Sequence, residues 1–232
     1  MNTSKRAGFF VTGTGTGVGK TYVSGCLAKA ISSLCPVTYL KPVQTGCIRE
    51  DGGPLSAPDF NEICQRAPII TAQLEDHVPY RFEPACSPHL AARLAACTID
   101  FGTILRAMDK VQRLASLVIV EGAGGIYAPL DENSTMLDLM REIGLPVILV
   151  ASAGLGTLNH TRMSLEVLAA HKFPLAAVII NDLCDGSQRF IIDDNIATIR
   201  TFSPAPVAVV PYATALEPEF KEFCHDLART QL

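Results

Sequence analysis

Apolar positions in this chain alternate between short continuous runs and stretches that recur every three or four residues. Phe9, Phe10 and Val11 form the first run, and Val23, Leu27, Ile31 and Leu34 follow at helical spacing. A continuous run reads as a strand covered on both faces, the longer rhythm as a helix with one apolar side. Further runs lie at residues 36–43, 117–120, 145–150, 175–180 and 207–212. Helical rhythm follows Asp59 (Phe60, Ile63, Cys64, Ala67) and Ser87-Pro88, where Ser87 is placed as cap and Pro88 at the first position. It recurs over 99–115 (Ile104, Met108, Val111, Leu114), over 135–143 with Thr135 and Asp138 as a partial capping box, around Leu165 and Leu168, and over 215–230. Residues 47–58, rich in turn formers, are expected to be a mobile loop. Strands separated mostly by helices predict an α/β fold, a mainly parallel, doubly wound sheet flanked by helices.

Composition narrows this to one domain over residues 1–232. The chain is 48% hydrophobic and 18% charged, so it can bury a substantial core. No apolar run approaches the roughly 20 residues that span a bilayer, so no membrane partner is expected. The apolar part of the N-terminus is too short for a secretory signal and is needed as the first strand. Eight cysteines are scattered without a CxxC pair and read as reduced thiols of a cytoplasmic protein. A net charge of −4 with no basic block argues against a nucleic-acid partner.

Chemistry enters at residues 8–21, GFFVTGTGTGVGKT. A glycine-rich loop between a strand and a helix turns backbone N–H groups onto phosphate oxygens, and the helix N-terminus adds positive charge there. Lys20 would reach the β- and γ-phosphates and the Thr21 hydroxyl would sit on a magnesium ion. The strict pattern GxxxxGK[ST] requires a glycine where this chain has Thr14, with Gly13 one place earlier. Lys41 stands at the end of the second run, where open α/β sheets bind ligands, and Thr45 lies in the polar turn after it. Glu121 closes another run, the place from which a P-loop protein commonly holds its metal, and the glycines after it let a ligand approach the backbone. Asp59 is a first-turn or capping acid and also a candidate metal carboxylate, and on local sequence Glu50 and Asp51 compete with it. Asn181 and Asp182 end a run where an amide can read a purine edge. Asn159 and His160, near a helix start, read as caps or hydrogen-bonding surface groups, and His160 is assigned no role in proton transfer.

Together and in order, VTGTGTGVGKT, KPVQTG, SPH, VEGAGGIYAPL, LPVILVASAGLGTLNHT, IIND and VVPY resemble the dethiobiotin synthetases. The resemblance implies a P-loop NTPase fold in which Gly17, Val18, Gly19, Lys20, Thr21 and Tyr22 wrap the phosphates of ATP. It implies Lys20 and Lys41 as catalytic lysines and Thr45 as a substrate contact, and it selects Asp59 and Glu121, with Thr21, for Mg²⁺. The backbone of Glu121, Gly122, Ala123 and Gly124 would lie between nucleotide and substrate, and Asn181, Asp182, Val210, Pro211 and Tyr212 would hold the adenine. The implied reaction carboxylates 7,8-diaminononanoate with CO₂ and closes the ring to dethiobiotin, releasing ADP and phosphate, in a homodimer whose contact includes residues 154–165. Two rival readings are an amidoligase of the cobyrinic acid type, for which the chain lacks room for a glutaminase domain, and a nucleotide-dependent switch, which would give KPVQTG no purpose.

Overall fold

The computed structural model describes residues 6–49, 52–182, 189–211 and 216–232. The chain opens with β1 (Gly8–Gly13), α1 (Lys20–Ile31) and β2 (Val37–Leu40), then runs through the short strands β3 (Val43–Gln44), β4 (Ile48–Arg49) and β5 (Leu55–Ser56). Next come α2 (Pro58–Arg66), α3 (Leu74–His77), β6 (Tyr80–Arg81), α4 (Pro88–Leu94) and α5 (Phe101–Gln112). The second half alternates regularly: β7 (Leu117–Glu121), α6 (Met136–Ile143), β8 (Val147–Ser152), α7 (Thr157–Ala170), β9 (Leu175–Asp182), α8 (Arg189–Phe202), β10 (Val207–Pro211) and α9 (Pro218–Arg229).

Six strands form one sheet in the order β10-β9-β8-β1-β7-β2, every pair parallel. Side chains alternate between its faces, so consecutive apolar residues feed two cores. Phe10, Val120, Leu149 and Val178 face α5 to α8, whereas Phe9, Val11, Ile119, Ile148 and Ile179 face α1, α2 and α9. The central strand β1 has β7 on one side and β8 on the other, so the chain reverses direction across the sheet beside the glycine loop. Such a reversal opens a crevice at the carboxyl ends of the strands, where ligands bind.

Several local expectations change. The run at 36–43 is split: only Val37–Leu40 joins the main sheet, and Val43–Gln44 pairs with Tyr80–Arg81 in a separate parallel ladder. The Lys41 N–H is taken by the His77 carbonyl at 2.8 Å, and Pro42 has no N–H to continue the pairing. Residues 47–58 contain an antiparallel ladder, Ile48 opposite Ser56 and Arg49 opposite Leu55, where a mobile loop was expected. The helix expected over 99–115 is shorter because the Asp100 carboxylate caps it, accepting from the N–H groups of Gly102 and Thr103. Leu114 lies beyond it and is partly exposed. Ser87 holds the N-cap position of α4 without a side-chain cap bond, with Pro88 following as expected. The box of Thr135 and Asp138 is complete in both directions. Helix α8, seated through Ile192, Ile196 and Ile199, was not anticipated. Asn181 and Asp182 belong to β9 itself, and Tyr212, Glu50 and Asp51 lie outside the described residues. Among the described residues every cysteine is free, and no helix is long and apolar enough to cross a membrane.

Candidate active site

The glycine loop closes tightly between β1 and α1. Thr14, where the strict pattern needs glycine, has no positive φ, and its N–H donates to the Val150 carbonyl at 2.9 Å. The crowded position is one residue earlier, since a Cβ on Gly13 would stand 2.7 Å from the Val18 side chain. Packing thus demands glycine at Gly13, while the backbone at Thr14 lies where a side chain is ordinarily carried. Gly19 sits at φ +88°, and a Cβ there would be 1.8 Å from Nδ2 of Asn181. That amide donates to the Val18 carbonyl at 3.1 Å, fastening the end of β9 onto the loop. Lys20 folds back so that Nζ donates to the Gly15 carbonyl at 2.9 Å. Burial, and then the nearby Lys41 charge, bring its pKa down to about 8 against the opposing pull of Glu121 and Asp59.

Glu121 is the hub on the neighbouring strand. Leu40 pairs with Val120, so Lys41, one residue on, comes level with Glu121. Lys41 Nζ donates to Glu121 Oε1 at 2.6 Å and to the Gly122 carbonyl at 3.3 Å, and lies 2.7 Å from Asp59 Oδ2 at the start of α2. The Thr21 hydroxyl donates to the same Oε1 at 2.8 Å, and the Tyr39 phenol donates to Oε2 at 3.1 Å. Burial alone would lower the Lys41 pKa, but Glu121 and Asp59 outweigh it and leave it raised, so the lysine is an ammonium. Burial, reinforced by Glu121 and Asp59, holds the Tyr39 phenol well above its ordinary value and therefore protonated. Tyr39 was not among the sequence candidates. It stands two residues before Lys41, and at the two-residue period of extended chain such neighbours point the same way, a signal the spacing did carry.

The donor set fits magnesium. Asp59, Glu121 and the Thr21 hydroxyl offer only hard oxygens; the two carboxylates already hold one cationic group, the Lys41 ammonium, and the Thr21 hydroxyl donates to Glu121. Among the described residues no three His, Cys, Asp or Glu side chains meet at one point. A magnesium here would rest on one or two carboxylates and nucleotide phosphates, as this ion usually does.

These groups line a cleft of about 380 Å³, joined by Gly17, Gly19, Tyr22, Thr45, Ala123 and Gly124. Val18 and Gly122 stand behind it: Val18 packs in the core, and a Cβ on Gly122 would meet Phe10 and Met136. The residues expected around adenine are more dispersed. Asn181 is buried, and its Oδ1 finds no partner among the described residues. Asp182 pairs with Arg189 at 2.5 Å, and Val210 points into the core. The Pro211 carbonyl accepts from the Tyr22 phenol at 3.1 Å, so Tyr22 extends from the loop to the end of β10.

Residues 7–220 match the AAA_26 family model, described as an AAA domain. The chain is 35% identical over 210 residues to the ATP-dependent dethiobiotin synthetase BioD of Halalkalibacterium halodurans, covering 88% of this chain and 84% of that one. With the protein of the same name from Anaeromyxobacter sp. (strain Fw109-5) it is 39% identical over 179 residues, covering 77% and 78%. In fold it is similar to a putative plasmid partition protein from Borrelia burgdorferi B31 bound to AMPPNP, with a TM-score of 0.57 at 9% identity over 98% of this chain and 100% of that one. At that identity the likeness is one of architecture alone.

Proposed function

The chain belongs to the ATP-dependent dethiobiotin synthetase family and is an ATP-dependent ligase of biotin biosynthesis, and we propose that the cleft beside Glu121 carries the reaction on 7,8-diaminononanoate and CO₂ within one domain spanning residues 1–232. The observation that carries this reading is the meeting of Lys20, Lys41, Thr21, Asp59 and Glu121 around one hollow at the sheet's reversal point. Gly17, Val18, Gly19 and the first turn of α1 wrap the phosphates, and Asn181, Asp182 and residues 210–212 form the adenine end. The backbone from Glu121 to Gly124 separates nucleotide from substrate. Thr45 contacts the diamine.

One amine of the substrate adds to CO₂ and loses a proton, giving a carbamate. A carbamate oxygen then attacks the γ-phosphorus as the bond to ADP breaks. The second amine attacks the carbonyl carbon of the resulting mixed anhydride, loses its proton, and expels phosphate as the ring closes. Negative charge gathers where carbamate meets phosphate, and Lys20 and Lys41 offset it there. Magnesium, held by Thr21, Asp59 and Glu121, would add a further positive charge at the phosphates. No step needs a side-chain nucleophile, so positioning contributes most of the acceleration.

The enzyme is read as a cytoplasmic homodimer. Leu155, 91% exposed, and Met163 on α7 are apolar side chains that a second copy would cover. Leu155→Asp should then shift the protein from dimer to monomer in light scattering, and an unchanged mass would remove this face from the interface. The reaction itself is tested by ADP release with Mg-ATP and bicarbonate, with and without the diamine, while dethiobiotin is followed by mass spectrometry. Diamine-dependent ADP with matching dethiobiotin supports the reading. ATP hydrolysis indifferent to the diamine, with no dethiobiotin, would refute it.

A further inference from the structure

Glu121 is fully buried, yet both of its oxygens are engaged, and they are engaged by different parts of the molecule. Oε1 receives the Thr21 hydroxyl and the Lys41 ammonium, the groups assigned to metal and phosphate. Oε2 receives the Tyr39 phenol alone among the described contacts. A carboxylate at the end of a strand can rotate about its last bond and exchange its two oxygens. A donor fixed on one side removes that freedom.

Tyr39 is well built for such a task. It is among the largest fully buried side chains, reaches Glu121 from β2 as Lys41 does from just beyond the strand, and has its ring beside Phe60, centroids 6.4 Å apart. Its backbone is held too. His77 Nδ1 donates to the Tyr39 carbonyl at 2.6 Å, and the His77 carbonyl accepts from the Lys41 N–H at 2.8 Å. The His77 Nε2 accepts from the Ala72 N–H at 2.8 Å, which places the ring proton on Nδ1. One buried histidine thus clamps the backbone on both sides of Leu40, and the two side chains flanking Leu40 reach the two oxygens of Glu121.

We propose that Tyr39 is a positioning residue for Glu121: its phenol holds Oε2 and so keeps Oε1 turned towards Thr21, Lys41 and the metal. The inference rests on the reading of Glu121 as a metal carboxylate given above. Partners that orient a metal ligand typically contribute about 10- to 100-fold to metal affinity. Tyr39 makes no contact that would place it on substrate or nucleotide, so it acts through Glu121.

The test is Mn²⁺ binding to the full chain with ADP, read from the free-ion resonance in electron paramagnetic spectra, beside ADP affinity in EDTA. Tyr39→Phe keeps the ring and removes only the hydroxyl. It should weaken Mn²⁺ binding about tenfold and leave metal-free ADP affinity near that of the wild type, with only a modest fall in the thermal midpoint from the Glu121 oxygen left unpaired. Tyr39→Leu should lose the same metal affinity and in addition unfold at a lower temperature still. Wild-type Mn²⁺ binding in Tyr39→Phe, with loss only in Tyr39→Leu, would show that packing matters and overturn the proposal. So would an equal fall in metal-free ADP affinity. Glu121→Gln separates the two levels: if it loses Mn²⁺ while Tyr39→Phe does not, only this inference fails, and if it binds Mn²⁺ normally, the metal reading fails with it.

Discussion

The Lys41 ammonium lies 2.6 Å from Glu121 Oε1, and both side chains are closed off from water. A buried charge stripped of its partner is costly, on the order of 3–5 kcal/mol. Lys41→Met should therefore abolish dethiobiotin formation and also lower the denaturant midpoint. Adding Glu121→Gln to it should recover part of the lost stability without restoring activity. Additive losses in that double-mutant cycle would show that the pair is not coupled.

Gly19→Ala places a methyl group where Nδ2 of Asn181 now sits, at a backbone angle that also disfavours a side chain. The loop must open and the Asn181 bond to Val18 must break. ADP affinity should fall more than about tenfold, since each 1.4 kcal/mol is a factor of ten. Gly15→Ala, where an added methyl meets nothing within 4 Å, should bind ADP far better than Gly19→Ala. Equal affinities would contradict the geometry.

Burial lowers the pKa of His77 below its ordinary 6.5, against weaker raising effects of its bond to Tyr39 and of Asp76. The unfolded chain takes up this proton first as pH falls, so stability is complete above about pH 6.5 and declines below it until the folded value is reached. Protonation would also put a second N–H against the Ala72 N–H. Denaturant midpoints measured between pH 7.5 and 5.5 should fall, and His77→Asn should flatten that slope. A slope unchanged in the variant would assign the acid sensitivity to other groups.

Thr135→Ala removes one half of the box that starts α6, outside the lining of the cleft. It should cost about 1 kcal/mol of stability, as lost caps do, with unchanged kcat and KM. A change in either kinetic constant would show that α6 communicates with the site.

Much of the architecture is legible in the order of residues because strand and helix differ in the period of their apolar positions. The runs at 117–120 and 175–180 are strands for that reason, and the rhythm from Val23 to Ile31 is a helix. The glycine loop, Lys20, Thr21, Lys41 and Glu121 were likewise marked by their places at element ends. What the pattern missed is where backbone bonds compete. The His77 carbonyl diverts the chain after Leu40, and the Asp100 carboxylate starts α5 later than the apolar rhythm suggests.

By itself the sequence determined the elements, the phosphate loop and the kinds of group available for chemistry, because these follow from local spacing and residue type. Tertiary structure alone decided that Lys41, Thr21 and Tyr39, far apart along the chain from Glu121, meet on its two oxygens, with Asp59 on the Lys41 ammonium. It also decided that packing demands glycine at Gly13, one place before Thr14. Both depend on which strands lie side by side and in what register, a property of the assembled sheet that no stretch of residues encodes alone.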